Sequence, residues 1–141
     1  KQLLLLEVRR ELDRLMARTG AVRASTDERE QFNVIADNME ATATARDGVA
    51  FMRHDVKFNA LLAAACHNEY AKRAMRLING LSRRFWFMHF QRSADLPLCA
   101  RLHANMARAI GAGDPEGAAI AADALVDYVE IFTRATIDIA P

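Results

Sequence analysis

Apolar residues recur at intervals of three and four along almost the whole chain, and this spacing constrains the fold more than any other feature of the sequence. It is the pattern of helices that each bury one face. No segment shows the apolar and polar alternation of a half-buried strand. Only 6 glycines and 3 prolines interrupt 141 residues, and such a composition disfavours a loop-rich or all-β fold. The sequence therefore predicts an all-α protein.

Capping signals divide the chain into six predicted helices. Ser25 and Glu28 form a capping box, Asn68 can cap a later helix, and Asp114 is followed by proline at the first helical position. The predicted spans are about 2–19, from the Ser25 cap to about 46, 48 to about 67, 69–92, from 95–97 to the GAGD turn, and 115 to about 137. We expect one domain, 1–141, folded as an antiparallel bundle of about six helices without a sheet.

The charge and the cysteine content limit the functions that this domain can have. The 19 basic and 18 acidic residues give a net charge of +1, and no basic block predicts nucleic-acid or membrane binding by this domain. Cys66 and Cys99 lie on apolar faces without CxxC spacing, which predicts buried, reduced thiols in a cytoplasmic protein. No apolar run is long enough to span a bilayer, and no signal peptide is recognisable. Because the chain begins in helical period without Met, we expect it to be a fragment that lacks an N-terminal part.

One acidic residue stands out, because Asp55 lies in the middle of the apolar face of the third predicted helix. Burying an ionised carboxylate is costly unless a cation or hydrogen-bond donors meet it. Asn59 lies one helical turn further and points the same way. The sequence therefore predicts that Asp55 has a partner on another helix.

Two histidines on other predicted helices, His89 and His103, also lie on inward faces. Two imidazoles and the Asp55 carboxylate form a set that suits zinc, nickel, iron or manganese, with positions left for water or a ligand. Two alternatives stay open: an inward histidine is more often a hydrogen-bonded core residue, and Asp55 could instead pair with Arg9. Arg9 shares the apolar face of the first helix, where a guanidinium is suited to bidentate recognition of a carboxylate.

Catalytic motifs are missing from the sequence. No nucleophile–base pair, phosphate-binding glycine loop or paired carboxylates emerge, and Asp123, Asp127 and Glu130 of the sixth helix are expected on a solvated face with ion pairs. The alternative to a binding protein is a small helical metalloenzyme, in which a water on a metal held by Asp55, His89 and His103 performs hydrolytic or lyase chemistry.

The order and spacing of four motifs resemble the C-terminal effector-binding domain of GntR-superfamily transcription regulators, of the FCD type. The motifs are EVRRELD, DVKFNALLAAACHN, LSRRFWFMHF and RLHANMARAIGAGDPEGAA, and the resemblance extends over nearly the whole chain. It implies a helical bundle that holds a divalent metal through an aspartate and up to three histidines and binds a small organic acid. It also implies a homodimer whose N-terminal winged helix-turn-helix domain, absent from this fragment, binds operator DNA. No membrane partner is expected.

The resemblance assigns roles to individual positions. Asp55 and His103 match metal ligands, His89 falls at or within one residue of a third, and Arg9 matches the family's arginine. Arg9 and Asn59 are accordingly predicted to bind the ligand.

Two positions depart from the family pattern. Asn59 stands where many members have histidine, and Leu125 occupies the position of the last histidine, on the sixth helix. The resemblance therefore predicts one divalent ion, such as zinc or nickel, held by at most three protein ligands.

Overall fold

The computed structural model describes residues 1–139, together with their side chains except those of Arg92, Ser93 and Ile139. In this part of the chain there are six helices and no strand, which confirms the predicted all-α bundle. The helices are α1 (Gln2–Arg23), α2 (Thr26–Ala45), α3 (Gly48–Ala65), α4 (Glu69–Ser93), α5 (Leu96–Gly111) and α6 (Pro115–Ile139).

Side-chain caps set the helix starts that the sequence predicts. The Ser25 hydroxyl accepts a hydrogen bond from the Glu28 amide at 3.1 Å, and the Glu28 carboxylate accepts one from the Ser25 amide at 2.8 Å. The Asn68 side chain likewise accepts from two amides at the start of α4. These contacts satisfy amide groups that have no partner within the helix.

Two predicted boundaries are wrong by about one turn or less. α1 does not stop before Gly20 but continues to Arg23. Gly20 is buried inside the helix, where a Cβ would make only an ordinary van der Waals contact with the Leu62 side chain at 3.6 Å, so this glycine neither ends the helix nor is required by the packing. α3 ends at Ala65, slightly earlier than predicted, and His67 follows with a left-handed φ of 50°.

The core lies between two helix pairs, because α1 packs on α6 and α2 packs on α5, while α5 also packs on α6. Burying a large apolar side chain contributes about 1.5–3 kcal/mol, and residues from α1, α2, α3 and α5 supply the largest ones. The most deeply buried large apolar side chains are Met16, Phe32, Met39, Phe51, Phe58, Leu62, Met106 and Ile110. Cys66 and Cys99 are buried free thiols, as predicted.

The apolar spacing of Met75, Ile78, Leu81, Phe85 and Met88 predicts an inward face of α4 that the structure has only in part. Ile78 is buried as expected, but Leu81 is 44% exposed and Met88 is 69% exposed. From Ile78 the inward face advances in steps of four residues, which brings Ser82 and Trp86 inward instead. The apolar spacing cannot identify the buried face of α4, because apolar residues occur on all sides of this helix.

The inward face of α1 also differs from the expected one, because it contains a buried carboxylate. The apolar spacing of Leu5, Val8, Leu12 and Met16 predicts that Val8 faces inward, but Val8 is 54% exposed, whereas Asp13 is 5% exposed. Asp13 lies one turn after Arg9, so both charged side chains occupy the buried side of the helix.

The outer sides of α1 and α6 are joined by ion pairs. Arg10 contacts Asp127 at 2.6 Å and Arg14 contacts Asp123 at 2.9 Å. The predicted ion pairs of the acidic face of α6 are thus present: Asp123 and Asp127 pair with α1, and Glu130 pairs with Arg134 of α6 at 2.9 Å. Such exposed pairs contribute little individually. None of the helices in the described range has the length and apolar character needed to cross a membrane.

Candidate ligand-binding site

A cavity of about 70 Å³ lies at the point where five of the six helices meet. Only α2 contributes no residue to its walls within the described part of the chain. The walls combine apolar side chains with an unusual number of polar and charged ones. The lining residues are Arg9, Asp13, Phe51, Asp55, Asn59, Asn79, Ser82, Arg83, Trp86, Cys99, His103, Leu125, Val126 and Val129.

The partner of Asp55 in this cavity is His103. His103 Nε2 lies 3.1 Å from Asp55 Oδ1, and both side chains are largely buried. On its other side, His103 Nδ1 lies 2.8 Å from the Cys99 backbone oxygen. A carbonyl oxygen only accepts, so Nδ1 carries a hydrogen; Nε2 faces a carboxylate, so it carries one as well when no other cation is present. His103 is therefore an imidazolium paired with Asp55.

The pKa directions agree with this geometry. Burial opposes a charge on His103, but its contacts with Cys99 and Asp55 raise the pKa of His103 well above its usual value. Burial also disfavours ionised Asp55, yet the hydrogen bond and charge of His103 lower the pKa of Asp55. The rings of Phe51 and Phe58 pack edge-on against the imidazole, at centroid distances of 5.3 and 5.6 Å, and hold it in place.

This pair gives the protein's stability a defined pH dependence. The raised pKa of His103 stabilises the fold fully below its ordinary value of 6.5, and this contribution is lost as pH rises through the raised pKa. The lowered pKa of Asp55 stabilises the fold above its ordinary 3.8 and is lost as pH falls through the lowered pKa. We expect the stability difference between the wild type and His103→Gln to be largest between about pH 4 and 6.5 and to shrink at alkaline pH. Urea denaturation at a series of pH values measures it, and a difference that stays constant across the series would contradict the assignment.

Arg9 does not pair with Asp55, which settles one alternative left by the sequence. Its Nε donates to Asp13 Oδ2 at 3.1 Å. Burial raises the pKa of Asp13 despite the opposing charge of Arg9. Sequence analysis missed Asp13, although its position one turn after Arg9 was a usable signal.

Asn59 supports Asp55 from within α3. Its amide nitrogen donates to the Asp55 carboxylate at 3.2 Å and to the Asp55 backbone oxygen at 3.0 Å. Four of the five site residues predicted from the sequence therefore line one cavity: Arg9, Asp55, Asn59 and His103.

The α4 wall of the cavity, consisting of Asn79, Ser82, Arg83 and Trp86, was not predicted. The sequence around Ser82 shows no special setting, and the aromatic run FWFMHF, which contains Trp86, predicts core packing. In the structure, Ser82 Oγ, Arg83 Nε and Trp86 Nε1 are buried without a hydrogen-bond partner. Ser82 and Trp86 are four residues apart and therefore share one face of α4. The sequence does not show that this face is the buried one, whereas the burial of Ile78 in the structure does.

His89 is the predicted site residue that the structure does not bring to the cavity. It lies partly buried against Phe85, with ring centroids 4.7 Å apart. Leu125, by contrast, lines the cavity.

The side chains that could coordinate a metal determine whether a divalent ion fits this cavity. His103 has its Nδ1 anchored on a carbonyl and Asp55 is held by Asn59, an arrangement typical of metal ligands and their supporting hydrogen bonds. However, no group of three His, Cys, Asp or Glu side chains in the described residues is arranged to hold a metal ion. Two side chains are fewer than the three protein ligands usual for zinc, so a divalent ion at Asp55 and His103 stays a prediction.

A helical bundle with a half-open cavity, whose largely apolar walls carry several charged side chains, is typical of a ligand-binding domain. A family model described as FCD domain matches residues 4–128. The chain therefore belongs to the FCD domain family, the effector-binding C-terminal domains of GntR-family transcription regulators, as the sequence motifs predicted. A search of curated proteins gave no match.

Proposed function

We propose that this domain senses a small carboxylate effector, which binds in the cavity between the five helices. The observation that carries the proposal is the set of cationic and hydrogen-bond-donating side chains, Arg83, Trp86 and His103 among them, that line one half-open cavity. Small-molecule sites combine apolar walls with a few such convergent polar groups. The role is one of binding rather than catalysis, because the family is regulatory.

Effector binding is proposed to modulate operator binding by a winged helix-turn-helix domain of the full-length regulator, which acts as a homodimer in the cytoplasm. A ligand shifts an equilibrium between two states only if it binds one of them more tightly. The cavity offers a route to such a difference, since its walls come from α1, α3, α4, α5 and α6. An occupant that contacts several helices favours the arrangement in which those contacts are made.

A thermal-shift screen of short carboxylic acids tests the sensing function. A ligand at one hundred times its dissociation constant stabilises the folded state by about 2.7 kcal/mol, so we expect at least one acid to raise the melting temperature in a saturable manner. The uncharged amides of the same acids serve as controls for unspecific effects. If no short carboxylate stabilises the protein, with or without added zinc, the sensing proposal is wrong.

The regulatory part of the proposal is tested with the full-length protein. We expect an acid that stabilises this domain to change operator affinity, and we expect the protein to sediment as a dimer. Operator affinity that is the same with and without a saturating acid would contradict the coupling.

A further inference from the structure

The α4 wall holds three donors without acceptors. Ser82 Oγ, Arg83 Nε and Trp86 Nε1 are all buried, and none has a partner among the residues whose side chains the structure describes. A buried donor that lacks an acceptor costs free energy. Three such atoms within two turns of one helix, all on residues that line the cavity, indicate that an acceptor from outside the chain completes this wall.

The ion pairs of the cavity also indicate the α4 wall as the site for an anion. Each of the two cavity carboxylates already has a partner, since Asp13 contacts Arg9 and Asp55 contacts His103. Arg83, in contrast, has no carboxylate within ion-pair distance in the described part of the chain, although its charge helps to lower the pKa of Asp55, and its Nε has no acceptor. An arginine that offers Nε and an adjacent terminal nitrogen can hold both oxygens of one carboxylate. Arg83 is therefore better placed to receive an anion than Arg9, whose Nε is occupied.

The size and the other walls of the cavity restrict the rest of the ligand. One water needs roughly 10–15 Å³ by this measure, so a cavity of about 70 Å³ has room for about five to seven waters, which suits a small organic molecule better than a large one. Apolar side chains make up much of the remaining surface, namely Phe51, Leu125, Val126 and Val129. Apart from Asn79, the other donors of the cavity, on Arg9, Asn59 and His103, already contact Asp13 or Asp55. A second carboxylate would therefore compete with these carboxylates or lie against the apolar groups, and both encounters are unfavourable.

We propose that the effector is a short aliphatic monocarboxylate whose carboxylate binds to the α4 wall, with Arg83 as its ionic partner and Ser82 and Trp86 as further donors. Arg9 then acts as the partner of Asp13 rather than as the carboxylate receptor. The inference rests on the proposed sensing function and specifies which residues and which ligand class carry it.

Calorimetric titration with butyrate, in the wild type and in two matched variants, tests the assignment. Arg83→Lys and Arg9→Lys both keep the positive charge and remove the planar guanidinium. We expect Arg83→Lys to weaken butyrate binding by about tenfold, and Arg83→Gln by about thirtyfold or more. Arg9→Lys should weaken it by less than about threefold, because the added ammonium still faces Asp13.

The donors and the ligand class are tested in the same assay. Ser82→Ala and Trp86→Phe each remove one donor, and we expect either to weaken binding by about three- to tenfold. Succinate should bind at least about tenfold more weakly than butyrate, and butyramide likewise. Trp86 is the only tryptophan of the chain, so tryptophan fluorescence should change on titration with butyrate in the wild type and in the lysine variants.

The outcomes separate this inference from the sensing function. If butyrate binds the wild type and Arg9→Lys loses binding while Arg83→Lys keeps it, the α4 wall is the wrong receptor but the cavity still senses acids. If succinate binds more tightly than butyrate, the proposed ligand class, a monocarboxylate, is wrong, whereas the assignment of Arg83 as its ionic partner is unaffected. Failure of every acid to bind the wild type would overturn both. Circular dichroism and unliganded melting temperatures verify that each variant is folded.

Discussion

Asp55→Ala is expected to lower the free energy of unfolding by about 3 kcal/mol. The substitution leaves the His103 imidazole buried, with its Nδ1 on the Cys99 carbonyl and its Nε2 without the carboxylate 3.1 Å away. The imidazole must then lose its charge or remain unpaired, and either change costs folding free energy. Urea denaturation near pH 6 measures the effect, because the pair contributes fully at that pH.

Asp37→Ala is the matched control for burial. Asp37 also contacts a cation, with its Oδ1 at 2.9 Å from Arg108 Nη2, but its side chain is 73% exposed. Exposed pairs are worth at most about 1 kcal/mol, so the control variant should remain close to the wild type. Asp55→Asn, which keeps an acceptor for His103, should lie between the two. A loss at Asp55 no larger than that at Asp37 would contradict a buried ion pair.

Leu125→His is expected to convert the cavity into a strong zinc site. Asp55 and His103 are two potential ligands with supporting hydrogen bonds, and Leu125 lines the same cavity from α6. In the absence of metal the variant should be less stable, because a polar imidazole replaces a buried apolar side chain. With zinc it should gain stability by mass action, and we expect its affinity for zinc to exceed that of the wild type by about tenfold or more.

Two further variants control the zinc experiment. Leu125→Gln introduces a polar side chain of similar size that is a poor zinc ligand, and it should not gain zinc affinity. His89→Ala in the Leu125→His background should retain it, since His89 lies against Phe85 and not in the cavity. Equal zinc affinity of the wild type and the Leu125→His variant would show that the introduced imidazole does not reach Asp55 and His103.

The fold could be predicted because its signals are local. Capping residues such as Ser25, Asn68 and Asp114 act within one turn of their helix, so the sequence contains both partners of each contact at a fixed spacing. Gly20 shows the limit of this reasoning. A glycine near a helix end commonly terminates the helix, whereas here α1 continues to Arg23 and Gly20 is buried beside Leu62, a residue far away in sequence.

The cavity could be predicted only in part, for a related reason. Asp55 and His103 were detectable because a charged or imidazole side chain interrupts an otherwise apolar face. Ser82 and Trp86 were not, because small polar and aromatic residues fit many environments and the apolar residues of α4 surround the helix. Which charged groups pair is also a tertiary property, and only the structure shows that Arg9 contacts Asp13 while His103 contacts Asp55.

The two buried thiols have a practical consequence. Cys66 and Cys99 are almost completely inaccessible, and burial raises the pKa of Cys99, so neither offers an exposed thiolate to alkylating reagents. A single cysteine introduced on an exposed position of α2, such as Asn33 or Val34, would therefore be the preferred attachment point for a dye. Since α2 does not line the cavity, such a conjugate would provide a fluorescent biosensor scaffold whose label and analyte occupy separate parts of the fold.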